Sequence, residues 1–175
     1  MNIPSHLRIA WLVVFVLVCS AHPGLAAPAA ITRKPNIVVI FTDDQTYRAI
    51  GYNNPLVKTP ALDQLAGQGV IFERAYAASP ICVASRASVM SGRYPQQHRS
   101  VGLDAKGFER TVIGEHRFQT LPECLAKAGY ATALYGKSHL GDPKRYGFAE
   151  GRELPDVQDD QSFAAAGTFL TARAK

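Results

Sequence analysis

Apolar runs and helical stripes alternate through the middle of the chain. Residues 37–41 form a short, continuous apolar run rich in β-branched side chains, which predicts a strand buried on both faces. A helical pattern begins at Thr59 and would end at Gly67 or Gly69. Residues 70–77 follow as a second, shorter strand, so the pattern predicts strand, helix and strand in that order.

The same order returns further along the chain. Thr120 and Glu123 have the spacing of a capping box at a helix start, and Gly129 is placed to end that helix. Residues 130–136 then predict another buried strand. Strands that alternate with helices are typical of a parallel sheet covered by helices on both faces, so the predicted fold class is α/β.

The C-terminal part of the chain changes character. Residues 141–160 are polar and rich in turn-forming residues, which predicts a loop. The final segment predicts a helix with Phe163, Ala166 and Leu170 on one face. Two or three strands make a small sheet for this architecture, so we expect the domain to be truncated.

The N-terminus has the layout of a secretory signal peptide. A short cationic start precedes an apolar run that is too brief for a membrane-spanning helix, and small residues follow it. We expect a signal peptide at residues 1–26, a polar lead-in at 27–34 and a catalytic part at 35–175. The product would be exported to the periplasm or the extracellular space without stable membrane insertion. A retained N-terminal anchor helix is the alternative.

Composition narrows the function classes only a little. The formal net charge of +5 favours anionic substrates but is too diffuse to indicate nucleic-acid binding. Cleavage of the signal peptide would leave Cys82 and Cys124, which is too few cysteines for a disulfide framework. Candidate chemistry therefore comes from local constellations, of which we single out three.

The first constellation is the pair Asp43 and Asp44, directly after the first predicted strand. Open α/β sheets bind ligands at the carboxyl ends of their strands. Two adjacent carboxylates repel each other, and a hard divalent cation with oxygen ligands, Ca²⁺ or Mg²⁺, would compensate them. Alternatively, one aspartate caps a loop or helix while the other is solvated.

The second constellation joins Cys82 and Arg86. A helix that starts near Ile81 places Cys82 in its first turn and Arg86 one turn later on the same side. The free N–H groups of a helix start and the guanidinium fork both favour an oxyanion, so a nucleophile at position 82 would face a bound sulfate or phosphate. Alternatively, Cys82 is a small buried residue or pairs with Cys124 in a disulfide, with Arg86 on the surface.

The third constellation is Lys137 and His139, just after the strand predicted at 130–136. Residues two apart point the same way if the segment stays extended. Lysine offers a point cation to an oxyanion, and histidine moves protons near neutral pH. Alternatively, the lysine is solvated and the histidine satisfies local hydrogen bonds. In one shared cleft, the three constellations would suit metal-assisted hydrolysis of an anionic ester.

Three motifs carry a family resemblance. NIVVIFTDDQ, CVASRASVMSGRYP and ATALYGKSHLG, in this order and spacing, resemble the N-terminal half of the type I sulfatases, members of the alkaline-phosphatase-like superfamily. The cysteine motif is the most specific of the three. The resemblance implies an alkaline-phosphatase-like sandwich around a parallel sheet, and hydrolysis of a small-molecule or carbohydrate sulfate ester.

The resemblance also implies a catalytic role for four residues of this chain. A formylglycine-generating maturation enzyme would convert Cys82 to Cα-formylglycine, whose hydrated form would attack sulfur. Arg86 would hold the modified residue and the cation site in order. Lys137 would contact the sulfate group, and His139 would act as the base that helps to expel it.

The cation site implied by the resemblance is incomplete. Asp43, Asp44 and the modified Cys82 would bind calcium, with magnesium the less favoured ion. The family's other calcium ligands, a further histidine and a further lysine lie in a C-terminal half that we expect to be missing, so the chain would be a fragment that does not turn over substrate alone. Ala84 stands where many members have proline, and we expect it to restrict which maturation enzyme recognises the motif.

Two other functions are open at this point. A phosphodiesterase or phosphonate hydrolase of the same superfamily would use the same residues. A non-catalytic exported remnant, whose cysteines simply pair, would use none of them. The chemical state of residue 82 separates the two hydrolases from the remnant, and the preferred ester separates the sulfatase from the phosphodiesterase or phosphonate hydrolase.

Overall fold

The computed structural model describes residues 34–153 and 159–173 of the 175-residue chain. The predicted signal peptide at 1–26 lies outside these ranges, as does all but Lys34 of the predicted lead-in. No helix within the described ranges has the length and apolar character needed to cross a membrane. The chain divides into two units between Thr42 and Asp43.

The described part of the first unit, residues 34–42, contains neither helix nor strand. The side chains of residues 37–41 are 43–64% exposed, so the buried strand predicted there is wrong. A strand needs a neighbour that completes its ladder of hydrogen bonds, and the sheet in the described residues is made of two other segments. Residues 70–77 also lack strand structure, and the strand predicted there is wrong for the same reason.

Helices supply most of the regular structure of the second unit. The α-helices in its described residues are α1 (Pro60–Gln68), α2 (Cys82–Ser91), α3 (Pro95–His98), α4 (Lys106–Phe108), α5 (Leu121–Lys127) and α6 (Asp159–Arg173). Shorter segments are the 3₁₀ turns Gly51–Asn53 and Pro143–Tyr146 and the π-helix Glu109–Gly114, which continues α4.

The helix ends follow the sequence signals. Thr59 precedes α1, where its hydroxyl donates a hydrogen bond to the Asp63 carboxylate over 3.0 Å, and Gly69 follows the last residue of the helix. The capping box predicted for α5 is confirmed. The hydroxyl oxygen of Thr120 accepts from the Glu123 amide, and the Glu123 carboxylate accepts from the Thr120 amide over 2.8 Å. Local sequence therefore determines where these helices begin.

A two-stranded parallel sheet confirms the α/β class. Strand β1 (Ala133–Gly136) pairs with β2 (Glu150–Glu153) in a register that places Gly136 opposite Glu153. β1 lies within the predicted strand but is half-buried rather than fully buried. The prediction that 141–160 is entirely loop is wrong, because β2 and a 3₁₀ turn lie inside it. The polar sequence of β2 gives no strand signal, because this strand is specified by its backbone pairing with β1.

The core lies around α2 and the segments that follow it. Its fully buried apolar residues are Val83, Ala87, Phe108, Val112, Leu140 and Tyr146. The rings of Phe108 and Tyr146 meet edge to face with centroids 5.6 Å apart, a favoured aromatic geometry. Cys82 packs against this cluster from its edge, so the start of α2 is anchored by the core.

Helix α6 forms as predicted but buries a different face. Phe163, Ala166 and Leu170 share one face of the helix as predicted, but Phe163 and Leu170 are 65% and 44% exposed and do not pack into the core. Instead, the Phe169 ring packs against Tyr135 of β1, with centroids 6.3 Å apart. Phenylalanine and leucine on one face suggest a core contact, but the position of β1 decides which face is covered.

Candidate active site

Helix α2 begins as the sequence predicts. Ile81 has extended backbone angles, and its amide donates to the Ser79 hydroxyl, so the chain turns into the helix at Cys82. Gly92 ends the helix in the left-handed conformation, with φ of 63°. Cys82 is half-buried in the first turn, and Arg86 is buried one turn later.

The thiol of Cys82 faces the imidazole of His139. Their Sγ and Nδ1 atoms are 3.5 Å apart, within hydrogen-bonding distance for sulfur. The structure describes both Cys82 and Cys124 as free thiols, so the alternative of a Cys82–Cys124 disulfide is wrong. The alternative that His139 serves only local hydrogen bonds also fails, because its ring contacts a residue on another element.

The segment after β1 is not extended. Gly136, His139 and Gly141 all have positive φ, of 100°, 55° and 82°. Lys137 and His139 therefore contact different partners, Asp43 and Cys82, instead of pointing the same way as an extended segment would make them. Both partners nevertheless belong to the predicted constellations, so the curled loop links all three.

Asp43 is held by two cations. Its Oδ2 atom lies 2.7 Å from Lys137 Nζ and 3.3 Å from Arg86 Nη2. Arg86 also donates from Nη1 to the carbonyl oxygen of Lys137 over 2.5 Å. The Arg86 side chain is 7% exposed, so the alternative that places it on the surface is wrong. One guanidinium thus ties the helix, the loop and the aspartate together.

The charges of this cluster influence one another. The hydrogen bond from Lys137 is the main cause that lowers the pKa of Asp43 below its ordinary 3.8, and the charges of Lys137 and Arg86 act in the same direction against partial burial. Asp43 is therefore ionised at neutral pH. The charges of Asp43, Asp44, Arg86 and Lys137 sum to zero, so an added divalent cation would make the cluster attractive to an anion.

The described residues supply only part of a cation site. Carboxylates at 43 and 44 are the oxygen ligands that a hard cation prefers, and the donor chemistry fits calcium or magnesium in kind. Asp44 has φ of 49°, and its backbone makes a small contribution to the lowered pKa of Asp43. Within residues 34–153 and 159–173, however, no three His, Cys, Asp or Glu side chains group as a metal site. The described donors are therefore too few for the six to eight or so oxygens that calcium takes.

Sequence reasoning missed Glu153. Its carboxylate accepts a hydrogen bond of 2.6 Å from the backbone amide of His139. Glu153 ends β2, which lies in the stretch predicted as loop. The strand pairing that brings the residue to the site has no signature in the local sequence.

Comparisons with known proteins define the family. A family model for sulfatases matches residues 35–168. Because this match covers more than half of the chain, the chain belongs to the sulfatase family.

Relatives and a solved structure agree with this assignment. N-acetylgalactosamine-6-sulfatase of Homo sapiens is 34% identical over 139 residues, and N-acetylgalactosamine-6-O-sulfatase of Bacteroides thetaiotaomicron is 39% identical over 129 residues, each across 73% of this chain. An arylsulfatase of Clostridium perfringens is 39% identical across 61% of it. The chain spans 26%, 25% and 21% of the lengths of these relatives. The crystal structure of Ps i-CgsB matches with a TM-score of 0.60 at 32% identity, over 78% of this chain and 33% of that one.

Proposed function

We propose that the chain is the N-terminal part of the catalytic domain of a sulfuric-ester hydrolase in which Cys82 is converted to formylglycine. The observation that carries the proposal is the junction of α2 with the loop after β1. There residue 82 meets His139 while Arg86, one turn later, meets Lys137 and Asp43. A nucleophile position, a proton-transfer group and two cations thus occupy one site, as ester hydrolysis of an anion requires.

The cations have distinct tasks in this proposal. Arg86 is buried and doubly engaged, so it fixes the geometry between α2 and the Lys137 backbone. The Lys137 side chain is 21% exposed, and its flexible stem allows Nζ to turn from Asp43 toward an incoming sulfate oxygen. Positive charge brought to this position stabilises the negative charge that develops on the oxygens around sulfur.

His139 would move the proton at residue 82. Its Nδ1 atom already lies within hydrogen-bonding distance of the side chain at that position, and imidazole can take up a proton near neutral pH. The same contact would orient the nucleophile toward the substrate. In the unmodified chain the thiol sulfur stands in for the oxygen of the modified residue.

We further propose that Asp43, Asp44 and the modified residue 82 contribute ligands to a divalent cation, with Ca²⁺ preferred over Mg²⁺. Calcium tolerates irregular arrangements of oxygen ligands, whereas magnesium demands a nearly octahedral one, so two adjacent carboxylates favour the larger ion. When bound, the cation would act as a Lewis acid on a sulfate oxygen. Lys137 and Arg86 hold Asp43 ionised, which is the form that binds a cation.

The substrate class in this proposal is a small-molecule or carbohydrate sulfate ester, and the maturation partner is a formylglycine-generating enzyme acting on an exported protein. Relatives named for N-acetylgalactosamine 6-sulfate and aryl sulfates support this class.

Ala84 lies fully buried in the first turn of α2, where its amide needs no partner within the helix. This position therefore accepts proline, which has no amide hydrogen, and alanine, which has a high helix propensity, equally well.

An assay of the gene's full reading frame, in a host that matures sulfatases, tests the proposal. Release of phenol from an aryl sulfate, abolished by Cys82→Ala, is the expected result. Hydrolysis of a phosphate diester without hydrolysis of the aryl sulfate would instead favour the phosphodiesterase or phosphonate hydrolase alternative. If neither ester is hydrolysed by protein that carries formylglycine at residue 82, the proposed activity is wrong.

A further inference from the structure

His139 occupies an unfavourable backbone conformation. Its φ of 55° lies in the left-handed region, which costs a residue other than glycine about 1–2 kcal/mol. The flanking Gly136 and Gly141 adopt positive φ without this cost. The conformation of His139 therefore has to be held by contacts, and it determines where the imidazole points.

The carboxylate of Glu153 supplies such a contact. Oε1 of Glu153 accepts from the His139 amide over 2.6 Å, a short hydrogen bond to a charged acceptor, which is stronger than a neutral one. The parallel register places Glu153 directly opposite Gly136, and the loop curls back from Gly136 to bring the His139 amide to the carboxylate. The half-buried position of Glu153 limits competition from water.

We propose that Glu153 is a positioning residue for His139, holding its backbone so that the imidazole lies against residue 82. The chain of contacts runs from the β2 terminus to the His139 amide and from the His139 ring to the Cys82 side chain. The catalytic meaning of this positioning rests on the proposed function, whereas the geometry does not. A merely structural role for Glu153 would stabilise the strand end without affecting residue 82.

Reactivity of the Cys82 thiol provides a readout that needs no sulfatase activity. A thiol beside an imidazole is alkylated faster than one without it. The chain is produced with Cys82 unmodified, treated with iodoacetamide, and the alkylation rates of Cys82 and the exposed Cys124 are compared by peptide mass spectrometry. Cys124 serves as the reference within each sample.

The expected result is specific to the His139 contact. Glu153→Ala lowers the rate at Cys82 relative to Cys124 by about threefold or more, as loss of a hydrogen bond to a charged group would, and approaches the His139→Ala value. Glu153→Gln keeps an oxygen acceptor and stays near the unaltered chain. Glu153→Ala has no further effect in a His139→Ala background. The matched control Glu150→Ala removes an exposed carboxylate of β2 that pairs with Arg173, and leaves the ratio unchanged.

Three outcomes overturn the proposal. The ratio of the Cys82 rate to the Cys124 rate is unchanged in Glu153→Ala, or it falls as far in Glu153→Gln as in Glu153→Ala, or Glu153→Ala still lowers it in the His139→Ala background. If Glu153→Ala does not fold, hydrogen exchange of the unaltered chain decides, since the His139 amide should be protected and exchange at the rate of an exposed amide contradicts the bond. The two experiments fail independently. A negative alkylation result does not affect the outcome of the aryl sulfate assay, and a negative assay does not affect the alkylation result.

Discussion

The Sγ atom of Cys82 and the Nδ1 atom of His139 lie 3.5 Å apart, although 57 residues separate them in the sequence. Helix α2 and the loop after β1 are joined a second time by Arg86, which donates to the Lys137 carbonyl oxygen. Two contacts, one turn apart on the helix, thus align the loop with α2. The proposed chemistry depends on this alignment.

Asp43 and Asp44 should differ in their effect on stability. Asp43→Asn removes the charge that faces Arg86 and Lys137. Because solvent partly screens the Asp43 carboxylate, we expect the free energy of unfolding to fall by about 0.5–1.5 kcal/mol. Asp44→Asn should change it by less than about 0.5 kcal/mol, because asparagine tolerates the φ of 49° found at this position. Urea denaturation of the two variants measures the difference, and equal losses would contradict the assigned ion pairs.

Removal of the buried guanidinium should be more costly than removal of an exposed one. Arg86→Met leaves the Lys137 carbonyl oxygen and Asp43 without this donor, and we expect a loss of about 2–4 kcal/mol. Arg145→Met breaks a surface ion pair with Glu109 and should cost less than about 1 kcal/mol. Denaturant midpoints of the two variants provide the test. A smaller loss for Arg86→Met than for Arg145→Met would show that Arg86 does not tie the helix to the loop.

His98 should make the fold sensitive to acid. Burial lowers its pKa below the ordinary 6.5. Its Nδ1 atom accepts a hydrogen bond from the Ser100 amide. The ring proton is therefore on Nε2, which donates to the Ser88 hydroxyl oxygen over 3.0 Å. The unfolded chain therefore binds the proton first as pH falls, so the contribution of His98 is complete above about pH 6.5 and declines below it by up to about 1.4 kcal/mol per pH unit.

Urea denaturation between neutral and mildly acidic pH checks this dependence. His98→Gln should be less stable at neutral pH but should lose less stability on acidification. His116→Asn is the matched control, since His116 is exposed and its φ of 48° suits asparagine, and it should keep the full acid sensitivity. An undiminished acid slope in His98→Gln would assign that sensitivity to another group.

Two glycines should respond to alanine in opposite directions. Gly92 ends α2 with φ of 63°, so Gly92→Ala should cost about 1 kcal/mol although the new methyl group meets no neighbour. Gly167 lies inside α6 without a positive φ and with open space around it, so Gly167→Ala should stabilise the chain by about 0.5–1 kcal/mol. Thermal melting compares the two, and a stabilising Gly92→Ala would contradict the left-handed helix end.

Sequence predicted the local features of this fold better than its long-range pairing. The start of α2 and the capping box at Thr120 follow from short-range hydrogen bonding and backbone preferences. The sequence wrongly predicted a strand at 37–41, which is exposed, and missed the polar strand β2. Both errors arise because a strand forms only where a neighbouring strand completes its hydrogen-bond ladder.

The candidate site shows the same division. Motif chemistry indicated Asp43, Cys82, Arg86, Lys137 and His139. The structure brings Asp43 into contact with Arg86 and Lys137, and Cys82 into contact with His139. The Cys82–His139 contact itself could not be predicted from spacing, since it depends on the curled loop after β1. Glu153 reaches that loop through the strand register, which no local motif encodes.

The chemical state of residue 82 tests the central claim most directly. The chain is produced in cells that contain an active formylglycine-generating enzyme, and the peptides of Cys82 and Cys124 are examined by mass spectrometry. We predict an aldehyde, trapped by a hydrazine probe, at residue 82 and an unmodified thiol at residue 124. An intact thiol at residue 82, in cells where another sulfatase is converted, would contradict the proposed function.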